Sequence, residues 1–380
     1  MKLLVLTEYF PTGEHEGITG GVEARALHLL RELARRHQVT VLCSFQQGQR
    51  REDSVAGIEV RRVGPVHPYS NEGHVATRFG YAAAAFAAGL RRDFDVVEGF
   101  SYVTYPAAGA LGRLRRRPAV ATFHESWSLA EWIRLKGLVT GALGSVWVRG
   151  SLLLSFAGFI AVSEATRQQI LAQGVPAEKI SVVHNGADLA LLASIAGEPP
   201  VRPSLSTSVR LIASKRADLL IRAVAKVRAR LPDVSLTVQG EGVERPALEA
   251  LVQQLSLQDN VTFEGRLPRF EDALALRKRH HLFCLPSISE GFGMVVLEAM
   301  GLGLPVVCTD LPVLREVAEE AGVYFHPDDE EDLARQLERV LTDAELRATL
   351  GQRARARAAA FSWARLAEAA EAAYHRVGAG

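Results

Sequence analysis

The sequence predicts an α/β protein of two open, mostly parallel sheets, each covered by helices on both faces and joined by a short linker. Three observations carry this expectation. The chain has 380 residues, too many for one comfortable hydrophobic core. Short apolar runs alternate with stretches of helical periodicity through its whole length. The runs are continuously apolar rather than alternating, as in parallel strands buried on both faces.

In the first half, strands are expected at residues 3–7, 39–44, 58–63, 94–98, 120–124, 159–163 and 180–184. A helix over 21–36 places Val22, Ala26, Leu29, Leu30 and Leu33 on one face. Near 193–206 the texture changes to Glu198-Pro199-Pro200, Pro203 and several serines, which reads as a linker. Alternation then restarts, with strands at 205–211, 234–239, 261–264, 281–286, 306–310 and 323–325. A helix over 215–231 has Leu219, Leu220, Ala223, Val224 and Val227 as its buried stripe, and a last helix spans 361–377. The predicted domains are 1–192 and 205–360, with 193–204 as linker and 361–380 as a helix returning to the first domain.

Composition narrows the function. A net charge of +1 provides no field to attract nucleic acid. The apolar fraction of 48% and charged fraction of 23% are those of a globular protein. Cys43, Cys284 and Cys308 lie in apolar runs without metal-ligand spacing. The start of the chain lacks a signal pattern, and a cytoplasmic location, at the inner face of the membrane, is the expectation. The weakly charged stretch 137–163, interrupted by Arg149, reads as a core helix followed by a core strand. Its minority reading is a surface that touches lipid.

The chemistry concentrates in the run Pro286-Ser287-Ile288-Ser289-Glu290-Gly291-Phe292-Gly293-Met294-Val295-Val296-Leu297-Glu298. It follows an apolar strand and enters a helix near Gly293. Within one helix the two glutamates would be about 12 Å apart along the axis, so Glu290 is expected on the loop, where both flank one ligand. The amides of Gly291, Phe292, Gly293, Met294 and Val295 stand at a helix N-terminus, which favours an anion such as a diphosphate. Upstream, Arg210 and Lys215 supply two cations suited to clamping that diphosphate. Gly20-Gly21, after Gly17-Ile18-Thr19, is a glycine turn opening a helix behind strand one. It lacks the Gly-x-Gly-x-x-Gly spacing of dinucleotide binding.

This constellation resembles glycosyltransferase family four, the glycosyl transferases group 1, whose fold is GT-B: two Rossmann-like domains facing across a cleft. The resemblance spans nearly the whole chain and includes Gly303-Leu304-Pro305-Val306-Val307. It implies Glu290 beside the donor sugar and Glu298 at the ribose hydroxyls. It further implies Arg210 and Lys215 on the diphosphate, and Gly20 and Gly21 in the donor loop. His124, at the end of Thr122-Phe123-His124, is implied at the reacting centre. Arg266 and Leu267 are expected to reach the base through their backbone. Tyr9 and Trp127 are acceptor candidates that serve equally well as packing residues. The chain departs from the pattern twice: Val209 precedes Arg210 and Arg216 follows Lys215, where the family commonly has glycine.

The implied activity is metal-independent, retaining transfer of a hexose from a UDP- or GDP-sugar to a glycan, lipid-linked or small-molecule acceptor. No cofactor is implied, and membrane contact would be peripheral. The alternatives are a phosphorylase or synthase acting on a sugar phosphate, and a non-catalytic sugar-nucleotide-binding protein.

Overall fold

The computed structural model describes residues 1–13, 20–69, 75–154, 156–267 and 269–378. Fourteen strands form two sheets, one in each of two compact units. Unit one comprises residues 1–185 and 363–380, and unit two residues 186–362.

In unit one the strands are β1 (Lys2–Leu6), β2 (Gln38–Phe45), β3 (Glu52–Val55), β4 (Ile58–Val66), β5 (Val96–Gly99), β6 (Ala119–Phe123), β7 (Gly158–Ala161) and β8 (Ile180–Val182). Their spatial order is β3-β4-β2-β1-β5-β6-β7-β8. All neighbours are parallel except β3 and β4. The sequence reading did not include β3. Its hairpin turns at Ala56 and Gly57, both with positive φ, the backbone a tight two-residue turn requires. Strands β5, β6 and β7 are buried at every position, whereas β4, beside the edge strand, alternates along its first half.

In unit two the strands are β9 (Ser204–Ser208), β10 (Ser235–Gln239), β11 (Val261–Gly265), β12 (Leu282–Leu285), β13 (Val306–Thr309) and β14 (Gly322–Phe325). Their order is β11-β10-β9-β12-β13-β14, parallel throughout. The core on these strands includes Leu205, Leu220, Val224, Leu236, Leu282 and Leu337, all at or below 1% exposure. Each such side chain contributes about 2 kcal/mol of burial.

The winding reverses once in each sheet, between β1 and β5 and between β9 and β12. In open parallel sheets the crevice beyond the carboxyl ends of the strands at such a switch point is where ligands bind.

Three expectations are corrected. Residues 186–192 belong to unit two, because the helix Leu189–Ser194 buries Leu192 and a side chain at Gly301 would collide with it. Strand 205–211 stops at Ser208; residues 209–212 leave the sheet and are held by the turn after β10, through Val209 N to Gln239 O and Leu211 N to Glu241 O. The segment 137–163 does contain a helix, Leu138–Leu152, and β7, but the helix is not core: Leu138, Val139, Leu143 and Val146 are exposed. Among the described residues no helix is long and apolar enough to cross a membrane.

The last helix, Trp363–Gly378, packs within unit one. Trp363 stacks on His28 with centroids 5.5 Å apart, and Glu371 pairs with Arg36 at 2.8 Å. Tyr374 donates to buried Glu98 at 2.6 Å.

Candidate active site

Two loops meet at the switch point of unit two. One leaves β9 and runs through Arg210 to a short 3-10 turn, Ala213–Lys215, before the helix Ala217–Arg228. The other leaves β12 and runs through Ser287–Gly293 into the helix Met294–Gly301. Ile288 N donates to Ser214 O at 3.0 Å and joins them. Across this strap Lys215 Nζ donates to Glu290 Oε1 at 2.8 Å and to Ser289 O at 3.3 Å. Both side chains are mostly withdrawn from solvent, 14% and 12% exposed. Arg210 lies on the same β9 loop, exposed.

Gly293 caps the helix in the left-handed region, φ 88°, a conformation costly for residues with a Cβ. A Cβ there would also sit 2.7 Å from Leu314 Cδ2. Intrahelical bonding begins with Val296 N on Gly293 O, so the amides of Met294 and Val295 stand at the positive end of the helix. Phe292 is buried, its ring 5.8 Å from Phe361, and anchors the loop by packing.

Glu298 is not an open carboxylate. Arg277 Nη1 donates to its Oε2 at 2.6 Å in a buried pair, and the Arg277 guanidinium lies 5.8 Å from the Phe283 ring. Sequence reasoning missed Arg277, which stands in the basic run Arg277-Lys278-Arg279 with no local signal of burial. Arg266 and Leu267 follow β11, just after the positive-φ Gly265.

The two departures from the family pattern differ physically. Val209 is absent from the positive-φ positions, so a β-branched residue fits its backbone. Arg216 takes φ 49° and ψ 40°, the left-handed conformation glycine adopts without penalty. Its guanidinium pairs with Asp218 at 3.1 Å and with Asp328.

In unit one, His124 follows β6 beside Phe100, their rings 6.1 Å apart. It shares a hydrogen bond with the Phe100 backbone, and its Nε2 is shielded from solvent without a partner among the described residues. Burial, reinforced by the Arg25 charge, pushes its pKa down to about 3, so the ring is neutral at physiological pH. Beneath it Arg25, fully buried, donates to His184 O and Asn185 Oδ1, each at 2.7 Å. Burial raises the pKa of Glu98, while Thr122 and Tyr374 donate to it and oppose that rise.

Gly20 caps the helix Gly21–Ala34 in extended backbone; Gly17, Ile18 and Thr19 lie outside the described residues. Tyr9 bonds His67 Nε2 at 2.8 Å and Pro68 O at 3.1 Å. Trp127 meets Trp132 edge to face, centroids 4.9 Å apart. Both aromatics are thus engaged in internal contacts. Among the described residues no group of three or more His, Cys, Asp or Glu is placed to hold a metal ion.

Comparison with known proteins fits this geometry. Residues 197–357 match the family model "Glycosyl transferases group 1" and residues 19–191 the model "Glycosyltransferase Family 4". The chain is 30% identical to a phosphatidyl-myo-inositol mannosyltransferase of Mycolicibacterium smegmatis over 371 residues, 91% of this chain and 87% of that one. It is 32% identical over 223 residues to a D-inositol 3-phosphate glycosyltransferase of Nocardia farcinica; that match spans 54% of this chain and about half, 49%, of the relative. In structure it is similar to Anabaena HepE in complex with UDP and glucose, with a TM-score of 0.74, 19% identity and 98% of each chain covered.

Proposed function

The chain belongs to glycosyltransferase family four, with the GT-B fold and the hexosyltransferase class that go with it, and from that premise we propose that it transfers a hexose, with retention, from a UDP- or GDP-sugar without a metal. The observation that carries this reading is the Lys215–Glu290 pair beside the glycine-opened helix N-terminus at the switch point of unit two.

The difficult event is cleavage of the bond between the anomeric carbon and the diphosphate. Negative charge grows on the leaving oxygen and positive charge on the sugar. Lys215, Arg210 and the amides at Met294 and Val295 receive the negative charge. Each charge-assisted hydrogen bond contributes about 1.5–3 kcal/mol, so two or three change the rate by orders of magnitude. Glu290 holds the Lys215 ammonium in place and lies beside the sugar. Glu298, steadied by Arg277, takes the ribose hydroxyls with its second oxygen. Neutral His124 accepts a hydrogen bond from a sugar hydroxyl at Nε2, the nitrogen left over when Nδ1 donates to Phe100. The acceptor hydroxyl attacks from the face the diphosphate leaves. Its oxygen forms the new bond to the anomeric carbon, and its proton passes to the departing phosphate oxygen.

The acceptor is a glycan, a lipid-linked sugar or polyol, or a small molecule. The presence of UDP in the HepE structure supports a nucleoside-diphosphate donor. The test is turnover, read as nucleoside diphosphate released from a panel of UDP- and GDP-hexoses with acceptors. Lys215→Ala, Glu290→Ala and Arg210→Ala are each expected to lose most of the activity while remaining folded, Lys215→Ala by about a thousandfold. Wild-type turnover in all three would refute the assigned site.

A further inference from the structure

A cavity of about 340 Å³ lies wholly within unit two. It stands at the amino edge of the sheet, where Lys278 precedes β12 and Leu302 precedes β13. The helix Met294–Gly301 joins it to the donor loops. That helix opens at Gly293 beside Glu290 and closes at Leu302 in the cavity lining, about 12 Å away along its axis. Part of the lining is apolar: Leu189, Leu192 and Ile195, with Leu192 buried. Gly301 closes against it, since a Cβ there would lie 2.4 Å from Leu192 Cδ1. The rest carries two cations, Lys278 and Arg355, and among the described residues no carboxylate.

The backbone sets both cations. Lys278 ends the helix Phe270–Lys278 and donates to Leu302 O at 2.7 Å. Arg355, from the helix Ala344–Ala358, donates to the same oxygen at 3.4 Å. Gly303 admits the guanidinium, because a Cβ there would fall 2.1 Å from Arg355 Nε. Gly197 lies against the Lys278 stem, where a Cβ would be 3.0 Å from Lys278 Cγ. Cations are favourable at a helix C-terminus, but this cap uses one N–H of each group and leaves most of their donors unused.

Positive charge is left over here. The neighbouring cations are paired: Arg277 with Glu298 at 2.6 Å and Arg357 with Glu319 at 2.8 Å. Lys278 and Arg355 make no ion pair among the described residues. Glu198, exposed in the linker, is the acid that acts on Lys278, and it does so from beyond ion-pair distance. Burial, and after it the Arg355 charge, pull the Lys278 pKa down. Two like charges gathered on one carbonyl repel each other, and an anion shared between them removes that repulsion.

We propose that this cavity binds a small phosphate monoester, its dianion on Lys278 and Arg355 and its organic group on Leu189, Leu192 and Ile195. A dianion matches two cations held together, and a guanidinium presents paired donors to phosphate oxygens. The apolar lining favours an esterified phosphate over the bare ion. The site is separate from the donor loops, and the proposal does not rest on the transfer reading.

The test is calorimetric titration of the full chain with phenyl phosphate, inorganic phosphate and phenol. Phenyl phosphate is expected to bind about tenfold or more tighter than inorganic phosphate, and phenol to give no measurable binding. Arg355→Gln should weaken phenyl phosphate about tenfold or more. Ala359→Glu is a second variant that removes no cation. Ala359 is an exposed residue of the lining, so a carboxylate there should keep the wild-type Tm, occupy the cations and weaken phenyl phosphate to the same degree. Lys215→Ala, at the donor loops, should bind phenyl phosphate like the wild type, which separates this outcome from failure of the donor assignment. Equal affinity in the wild type, Arg355→Gln and Ala359→Glu would overturn the proposal. So would inorganic phosphate binding as tightly as phenyl phosphate, no saturable binding of phenyl phosphate, or binding lost in Lys215→Ala alone.

Discussion

Lys215 and Glu290 neutralise one another at the carboxyl edge of the second sheet, and Arg277 and Glu298 do so behind them. At the carboxyl edge of the first sheet His124 is instead held uncharged, with one ring nitrogen unpartnered among the described residues. The difference teaches how the two halves handle electrostatics. On the proposed mechanism the charged diphosphate arrives at the second sheet, where ammonium and carboxylate are already paired, so little rearrangement is needed. At the first sheet, where the same proposal brings a neutral sugar hydroxyl to His124, desolvation removes the option of charge and leaves an acceptor.

The strongest way to break this contrast is to unpair a charge in unit two. Arg277→Met leaves Glu298 buried without its partner and is expected to cost about 3–5 kcal/mol. Denaturant unfolding measures it. A further Glu298→Gln change should recover much of the loss, and if it recovers none, the pair is not the cause.

The neutrality of His124 predicts a smaller effect that runs with pH. Its folded pKa of about 3 lies below the unfolded value of 6.5. The unfolded chain therefore binds the extra proton between those values, and stability falls as pH drops from 6.5 towards 3. Replacing the ring by His124→Gln should reduce the loss between neutral pH and pH 4 by about 1–3 kcal/mol. Thermal melts across that range check the sign, and equal slopes for both proteins would contradict it. Transfer activity should show no step from His124 between pH 5 and pH 8.

The smallest effect sharpens the comparison on the backbone. Arg216 occupies a left-handed position at a cost of about 1 kcal/mol relative to glycine, partly offset by its pairs with Asp218 and Asp328. Arg216→Gly is expected to change stability by less than about 1 kcal/mol. Val209→Gly relieves no strain and should only add chain entropy to the unfolded state. A stabilising Val209→Gly would show that the loop prefers the family's glycine after all.

Much of this was legible in the sequence, for identifiable reasons. Thirteen of the fourteen strands announced themselves as apolar runs, because parallel strands are buried on both faces. The β3 strand, Glu52–Val55, did not, because an edge strand is half polar. The Glu290 loop was readable from its glycines and strand-to-helix setting. The Arg277–Glu298 pair was not, since burial of one arginine within a basic run is decided by tertiary packing. The helix Leu138–Leu152 was misread as core for the converse reason: composition records that a segment is apolar, but not which way its large side chains point. Its small residues at Gly141, Ser145 and Ser151 held the signal, because they leave the large ones on the opposite face.

The central claim is tested most directly by calorimetric binding of UDP and GDP, in EDTA and in magnesium, to the wild type and to Lys215→Ala. The account predicts that one of the two nucleotides binds equally well in EDTA and magnesium. It also predicts that Lys215→Ala weakens the diphosphate about 10- to 100-fold while leaving the bare nucleoside unchanged. Binding that requires magnesium, or that ignores the loss of Lys215, would contradict it.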